Sequence, residues 1–464
     1  MIPVSGFEGR KVAVFGLGAS GIATANALAA GGAQPVAWDD SEAARSAARA
    51  AGIGLSNLAT ADWSAFAALI LAPGVPLTHP APHRVVRLAE AAAVPVIGDV
   101  ELFSRERLRR APRAPLVAVT GTNGKSTTVA LIAHILETSG RDGALGGNFG
   151  PAVLSLPPPS PSRTHVLECS SYQIELAPSL APTVGALLNI SPDHIDRHGT
   201  FERYVEIKSR LPKAAEHAIV CVDDPRSALI ADHVEQAGEE VTRVSVRNPL
   251  ADGFWLHGET IMHAEAAASE VVADVGGIVS LRGPHNRANA AVATAVALRL
   301  GIRPEAVSAG LKSFPGLQHR MEEVGRIGRT ILVNDSKATN ADAAARALAS
   351  FNHIYWIVGG RPKSDGIAAL DSLFPRVAKA FLIGEAADEF ARTMEGRVAY
   401  ERSGTLEKAF AAAVAAAIED PAAEPVVLLS PAAASFDQFR NFGERGDRFR
   451  QLAAEHGAVM KASP

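Results

Sequence analysis

Between Val117 and Thr128 the chain reads VAVTGTNGKSTT. An apolar, β-branched run stops at two closely spaced glycines, and an apolar stretch of helical spacing, TTVALIAHILET, follows at once. A strand, a tight loop and a helix account for that order, and such a unit belongs in an α/β domain with the loop at the carboxyl edge of a sheet. Backbone N–H groups at the turn and at the helix N-terminus can wrap phosphate oxygens. Lys125 adds a point charge, and the Ser126 hydroxyl can ligate Mg²⁺. The strict phosphate-loop pattern would place one more glycine at position 119, where this chain has Val119, so the loop is a shortened variant. The plainer reading is a glycine turn with a helix cap at Ser126 or Thr127 and a solvated lysine.

The same alternation recurs along the chain. KVAVFGLG, ALILAPG, LVAVTG, THVLECS, GALLNIS, TILVNDS, YWIVGG, AFLIGE and VVLLSP read as strands, most of them ending in Gly, Pro, Ser or Asn. They predict α/β folding with mostly parallel sheets and ligand loops at the strand ends. With 464 residues, about three domains are expected. The Arg- and Pro-rich segment SRERLRRAPRAP (Ser104 to Pro115) and the break SFPGLQH (Ser313 to His319) suggest where they divide. The expected domains are a Rossmann-like unit at 1–110, a phosphate-loop ATPase-type unit at 111–315 and a second Rossmann-like unit at 316–464.

A second loop, VFGLGASG, matches G-x-G-x-x-G through Gly16, Gly18 and Gly21, and Asp39 and Asp40 end the next strand. On these residues alone it favours a nicotinamide dinucleotide, and an NAD(P)-binding oxidoreductase is one open reading. A formal charge of -4 supplies no basic field for nucleic acid. The uncharged run from Val12 to Trp38 carries five glycines, with Asn26, Gln34 and Pro35, which suits strand, loop and helix better than a membrane span. The two cysteines, Cys169 and Cys221, form no disulfide framework. A reducing cytoplasm and no membrane or nucleic-acid partner are expected.

Candidate metal chemistry follows the phosphate loop. Glu168, in ECSSYQIE, and His194, in NISPDHIDRHG, both come just after apolar strands. A carboxylate at the sheet edge is what Mg²⁺ prefers, whereas a histidine in a DH pair is more often a turn or cap residue. Lys208 sits on the amphipathic pattern FERYVEIKSRL, where the simple expectation is a solvated charge near Glu202 or Glu206. Asp335 and Lys337 in NDSKATN occupy another strand-end loop, in which Asn334 or Asn340 could be no more than an N-cap.

Nine segments occur in a fixed order: GTNGKST, GGNFG, LECSSYQIE, NISPDHIDRH, YVEIKSR, GPHNRANA, LQHRME, NDSKATN and SPAAASFDQFRNFGERG. In that order they resemble the Mur ligases, over essentially the whole chain. The resemblance implies an ATP-dependent, amide-forming ligase of peptidoglycan precursor synthesis. The γ-phosphate would go to the carboxylate of UDP-N-acetylmuramoyl-L-alanine, and the amine of D-glutamate would attack the resulting acyl phosphate. By resemblance, Thr122, Asn123, Gly124, Lys125, Ser126, Thr127 and Thr128 hold ATP, with Asn289, Arg320 and Asp335, while Lys337 lies near the transferring phosphate. Ser126 and Glu168 would bind one Mg²⁺, and His194 with a carbamylated Lys208 a second. The first glycine loop is reassigned to the UDP moiety through Gly18, Ala19, Asp39, Asp40 and Ser41, with Asn148 contacting the same substrate. Thr339, Lys363, Ser435 and the Phe442 backbone would take D-glutamate. A monomer is expected. A sister ligase using another amino acid or a folate remains the nearest alternative.

Overall fold

The computed structural model describes residues 1–266, 268–362, 366–422 and 424–463. They form two compact units, one of residues 1–276 with 288–312, the other of residues 277–287 with 313–464. The mixed α/β architecture with mostly parallel sheets agrees with the sequence, and all nine runs read as strands are strands.

The first unit contains two sheets. Strands β1 (Lys11–Phe15), β2 (Gln34–Trp38), β3 (Phe66–Leu71) and β4 (Val96–Ile97) form a parallel sheet in the order β2-β1-β3-β4. Nine more follow: β5 (Leu116–Thr120), β6 (Asp142–Gly147), β7 (Arg163–Glu168), β8 (Val184–Leu187), β9 (His217–Cys221), β10 (Glu240–Ser245), β11 (Gly253–His257), β12 (Thr260–Glu265) and β13 (Ala268–Asp274). Their order is β13-β12-β11-β10-β9-β8-β5-β7-β6. The sheet is parallel from β6 to β11, and β12 and β13 extend it as an antiparallel meander. That meander was not among the runs read as strands, because apolar and polar residues are mixed in it and few of its positions are buried, Ile261 and Ala264 in β12 and Val272 and Ala273 in β13.

The segment Ser104 to Pro115, expected to divide domains, is half helix. Its first seven residues complete the helix Asp99–Arg110, in which Ser104, Glu106 and Arg107 are buried beside Leu102 and Phe103. Arg107 donates to the Ala114 carbonyl and, from its other terminal nitrogen, to the Ala181 carbonyl, both at 2.8 Å. One apolar core runs from Val12 and Val14 of β1 through Leu102 and Phe103 to Leu116, Leu167 and Ile207. Much of the segment expected to mark a domain division is thus on a helix whose inner face carries that core.

The second unit is built on β14 (Glu322–Ile327), β15 (Thr330–Asn334), β16 (Ile354–Gly359), β17 (Val377–Ile383), β18 (Tyr400–Gly404), β19 (Val426–Leu429) and β20 (Val459–Met460). Their order is β18-β17-β16-β19-β15-β14-β20, parallel except for β14, which pairs antiparallel with both neighbours. Apolar side chains alternate between two cores. Trp356 and Val358 face one, Tyr355 and Ile357 the other, as a sheet covered on both faces requires. The carboxyl ends of β15, β16 and β19 therefore share one edge, where Asp335 and Ser430 emerge. No helix among the described residues is long and apolar enough to cross a membrane.

Candidate active site

The loop after β5 turns twice through conformations that favour glycine, at Gly121 (φ 151°) and Gly124 (φ 88°). A Cβ on Gly124 would lie 2.3 Å from Asn289 Oδ1, so position 124 is fixed by backbone geometry and by a neighbour. Gly124 is itself the N-cap of the helix Lys125–Thr138; neither Ser126 nor Thr127 caps it, contrary to the plainer reading. Lys125 folds back over the loop, Nζ donating to the Gly121 and Thr122 carbonyls at 2.9 and 2.8 Å. Asn189, at the end of β8, accepts from the Asn123 amide at 2.9 Å and donates to the Asn123 carbonyl at 3.0 Å. Thr122 Oγ1 lies 3.0 Å from the Tyr204 hydroxyl and donates to the Ser191 carbonyl. Thr128 donates to the Gly124 carbonyl, and Thr127 is half-buried beside it.

Two hard oxygen donors meet at the sheet edge. Ser126 Oγ donates to Glu168 Oε2 at 2.6 Å, and Asn148 Nδ2 donates to Glu168 Oε1 at 2.5 Å. Ser126 and Glu168 are both buried. A hydroxyl and a carboxylate this close suit Mg²⁺, which takes oxygen ligands and completes its shell with water or phosphate. Among the described residues no cluster of three or more His, Cys, Asp or Glu has metal-holding geometry.

Lys208 is the largest departure from the simple expectation. Instead of a solvated charge it is 1% exposed, donating to the Gly121 carbonyl at 2.8 Å and to Thr120 Oγ1 at 3.1 Å, under the ring of Tyr204. Burial, reinforced by the charge of Lys125, pushes its ammonium well below the usual lysine range. His194 adopts φ 54° at the start of the short helix Ile195–His198. Its ring lies 3.4 Å from Asp193 Oδ2 and packs at 5.1 Å on Tyr172. Partial burial lowers its pKa against the opposing pull of Asp193, and Lys125 and Lys208 act on it electrostatically.

At the first glycine loop, Gly16 has φ 93°, and a Cβ on Gly21 would stand 1.8 Å from the Gly16 carbonyl oxygen. Gly18, the N-cap of the helix Ala19–Ala30, and Ala19 are exposed, and the space where a Gly18 side chain would stand is open. Asp39 accepts the Leu17 amide at 2.6 Å and the Ser41 amide at 2.8 Å. Asp40 is exposed and lies 3.1 Å from His83 Nε2, and Ser41 caps its helix by accepting from the Ala44 amide.

In the second unit Asp335 is buried at the end of β15, accepting from Ser430 Oγ at 2.9 Å and the Met321 amide at 3.2 Å. Burial pushes its carboxyl up to about 7, with Arg320 among the charges that oppose the shift. Lys337 Nζ stands 3.9 Å from the centre of the Phe442 ring. Thr339 is half-buried and Ser435 buried. Asn340 caps its helix through the Ala343 amide, while Asn334 is no cap, being buried against His319, Glu322 and the Gly446 carbonyl. Lys363 lies outside the described residues.

The sequence reading passed over Tyr204, Asn189, Tyr172 and Arg445. Tyr204 had a readable signal, standing four residues before Lys208 on one helix face. The others have none, since their partners are far away in the chain.

Comparison with known proteins decides the family. Residues 119–297 match the Mur ligase middle domain, and residues 319–433 match the Mur ligase glutamate ligase domain. The chain is 58% identical over 461 residues to the UDP-N-acetylmuramoylalanine–D-glutamate ligase of Agrobacterium fabrum, covering 99% of this chain and 98% of the relative. The chain belongs to the Mur ligase family. This Mur ligase is also 58% identical to the enzyme of the same name from Rhizobium meliloti, over 99% of this chain and all of that one. Its fold matches the UDP-N-acetylmuramate-alanine ligase of Thermotoga maritima with a TM-score of 0.59 at 16% identity, covering 96% and 99% of the two chains.

Proposed function

We propose that this Mur ligase joins D-glutamate to UDP-N-acetylmuramoyl-L-alanine at the expense of ATP, forming an amide and releasing ADP and phosphate. The observation that carries this reading is the near-complete likeness to two D-glutamate ligases at 58% identity. The arrangement around Ser126, Glu168 and Lys208 supports it chemically. A carboxylate is a poor acyl donor, and phosphorylation gives it a leaving group.

The residues divide the work as follows. Backbone amides from Thr122 to Lys125 and the Lys125 ammonium hold the phosphates, Lys125 exchanging its present carbonyl partners for phosphate oxygens. Ser126 and Glu168 hold a first Mg²⁺, with Asn148 fixing the Glu168 carboxylate. When bound, Mg²⁺ neutralises charge on the transferring phosphoryl group. Burial disfavours the charged form of Lys208, and its amine adds CO₂ and releases a proton to give a carbamate, whose oxygens with His194 would hold a second Mg²⁺. Asn289, Arg320 and Asp335 bind the nucleotide, and Lys337 approaches the transferring group. Gly18, Ala19, Asp39, Asp40 and Ser41 receive the UDP part of the substrate, and Thr339, Lys363, Ser435 and the Phe442 backbone take the amino acid. This assigns residues 1–110, 111–315 and 316–464 to sugar-nucleotide, ATP and amino-acid binding, in a cytoplasmic monomer.

Phosphate release from Mg²⁺-ATP with UDP-N-acetylmuramoyl-L-alanine, in the presence of D-glutamate, L-glutamate or no amino acid, tests the reading. Release requiring the nucleotide substrate and D-glutamate together is expected. Release with another amino acid only would move the chain to a sister ligase.

A further inference from the structure

Arg445 has no part in the reactions above, yet it is among the largest fully buried side chains, 1% exposed. Among the described residues its hydrogen bonds go to no carboxylate. Nε donates to Ser336 Oγ at 3.0 Å, Nη2 to the Ser336 carbonyl at 2.9 Å, and both terminal nitrogens reach the Ala433 carbonyl, at 3.3 and 3.2 Å. Ser336 Oγ in turn donates to the Phe442 carbonyl at 2.8 Å. A Cβ on Gly360 would stand 3.2 Å from Nη1, and the same loop is bound to its neighbour through the Arg361 amide, which donates to the Ala434 carbonyl at 2.8 Å.

One planar fork therefore joins the Ser336 and Ala433 segments directly, reaches the Phe442 carbonyl through Ser336 Oγ, and lies beside Gly360. Ser336 lies three residues before Thr339, Ala433 two before Ser435, Phe442 begins the helix that carries Arg445, and Gly360 starts the loop leading to Lys363. These are the four segments assigned above to the amino-acid acceptor. Burying a guanidinium is costly, and satisfying it with backbone carbonyls of loops, rather than a paired acid, converts that cost into fixed loop geometry. Asp437 and Asp335 act on it electrostatically, against the cost of burial.

We propose that Arg445 is a positioning residue of the acceptor pocket, locking the Ser336, Gly360, Ala433 and Phe442 segments in register so that a dicarboxylate amino acid finds its donors preformed. The inference rests on the acceptor assignment of the proposed function. The wild-type enzyme must first show D-glutamate-dependent phosphate release; without it the functional reading fails, whatever Arg445 does.

The test compares Arg445→Lys, which keeps the charge and loses the fork, and Arg445→Met with Leu452→Ala, a core truncation in the same helix. Both Arg445 variants should raise the KM for D-glutamate by about tenfold, the loss of one charge-assisted hydrogen bond or more, while the KM for ATP changes by less than about threefold. Amide hydrogen exchange at Ser336 to Thr339 and Ala433 to Ser435 should accelerate in both. An unchanged KM for D-glutamate, or an equal rise in the KM for ATP, would overturn the proposal. So would the same D-glutamate effect in Leu452→Ala at matched loss of Tm, since general loosening of the domain would then suffice.

Discussion

The loop from Gly16 to Gly21 is tied by one acid at the end of the next strand, whereas the loop from Gly121 to Lys125 is held by side chains from several distant segments. In the first, the third glycine is needed because the Gly16 carbonyl occupies the space of its Cβ, and one acid, Asp39, ties the amides of Leu17 and Ser41. In the second, Asn189, Tyr204, Lys208 and Asn289 all converge on the loop, and Glu168 meets the Ser126 hydroxyl. Two similar strand-to-helix turns thus differ in what surrounds them. A glycine pattern makes a cradle for phosphate, and only converging charged and hard-oxygen groups make the cradle a place for phosphoryl transfer.

If that contrast is right, damage to the second loop should appear in kcat and damage to the first in substrate affinity. Lys125→Met should have the largest effect, lowering the rate of phosphate release by about a thousandfold, as expected for loss of a transition-state charge partner. Retention of more than a tenth of the rate would remove Lys125 from the chemistry. Lys208→Gln should follow, with a loss of about a hundredfold. Enzyme stripped of CO₂ should lose activity and regain it with bicarbonate, and no recovery would argue against the carbamate. Glu168→Gln should raise the Mg²⁺ concentration for half-maximal activity by about tenfold, which a metal titration measures directly. Asp39→Asn tests the other loop. It should raise the KM for the sugar nucleotide by only about threefold to tenfold with kcat nearly constant, and a collapse of kcat instead would erase the distinction.

The smallest effect concerns pH. Burial raises the Asp335 carboxyl to about 7 in the folded protein, above its value in an unfolded chain, so the folded state binds the proton more tightly. The contribution of this group to stability is greatest below the unfolded pKa and is lost as pH rises through the folded value, between about 4 and 7. Asp335→Asn should flatten that part of the curve of Tm against pH. An identical slope in the variant would show that other groups set it.

Much of the fold was readable because its signals are local. Apolar runs ending at Gly, Pro, Ser or Asn located nine strands, and the glycine loops fell between strand and helix as expected. The strands β12 and β13 escaped because half-exposed antiparallel strands mix apolar with polar residues. For the site, Lys125, Ser126 and Glu168 stand out in the sequence as a loop cation, a loop hydroxyl and a sheet-edge carboxylate, and Ser126 and Glu168 meet in the structure, whereas Asn148, expected at the sugar nucleotide, donates to Glu168. Their contacts were not legible, since Asn148 and Glu168 reach each other only when β6 and β7 align.

What the sequence determined by itself, then, is the set of strand-to-helix loops and the order of family motifs, because turn chemistry and periodicity act over a few residues. The tertiary structure alone decided burial and partnership. It turned Lys208 from a solvated helix charge into a buried side chain, made the arginine-rich segment after Asp99 part of a core-facing helix, and set Arg445 against the Ser336 and Ala433 carbonyls. The environment of a charge is assembled from segments far apart in the chain, so its desolvation and its hydrogen-bond partners exist only once those segments have packed.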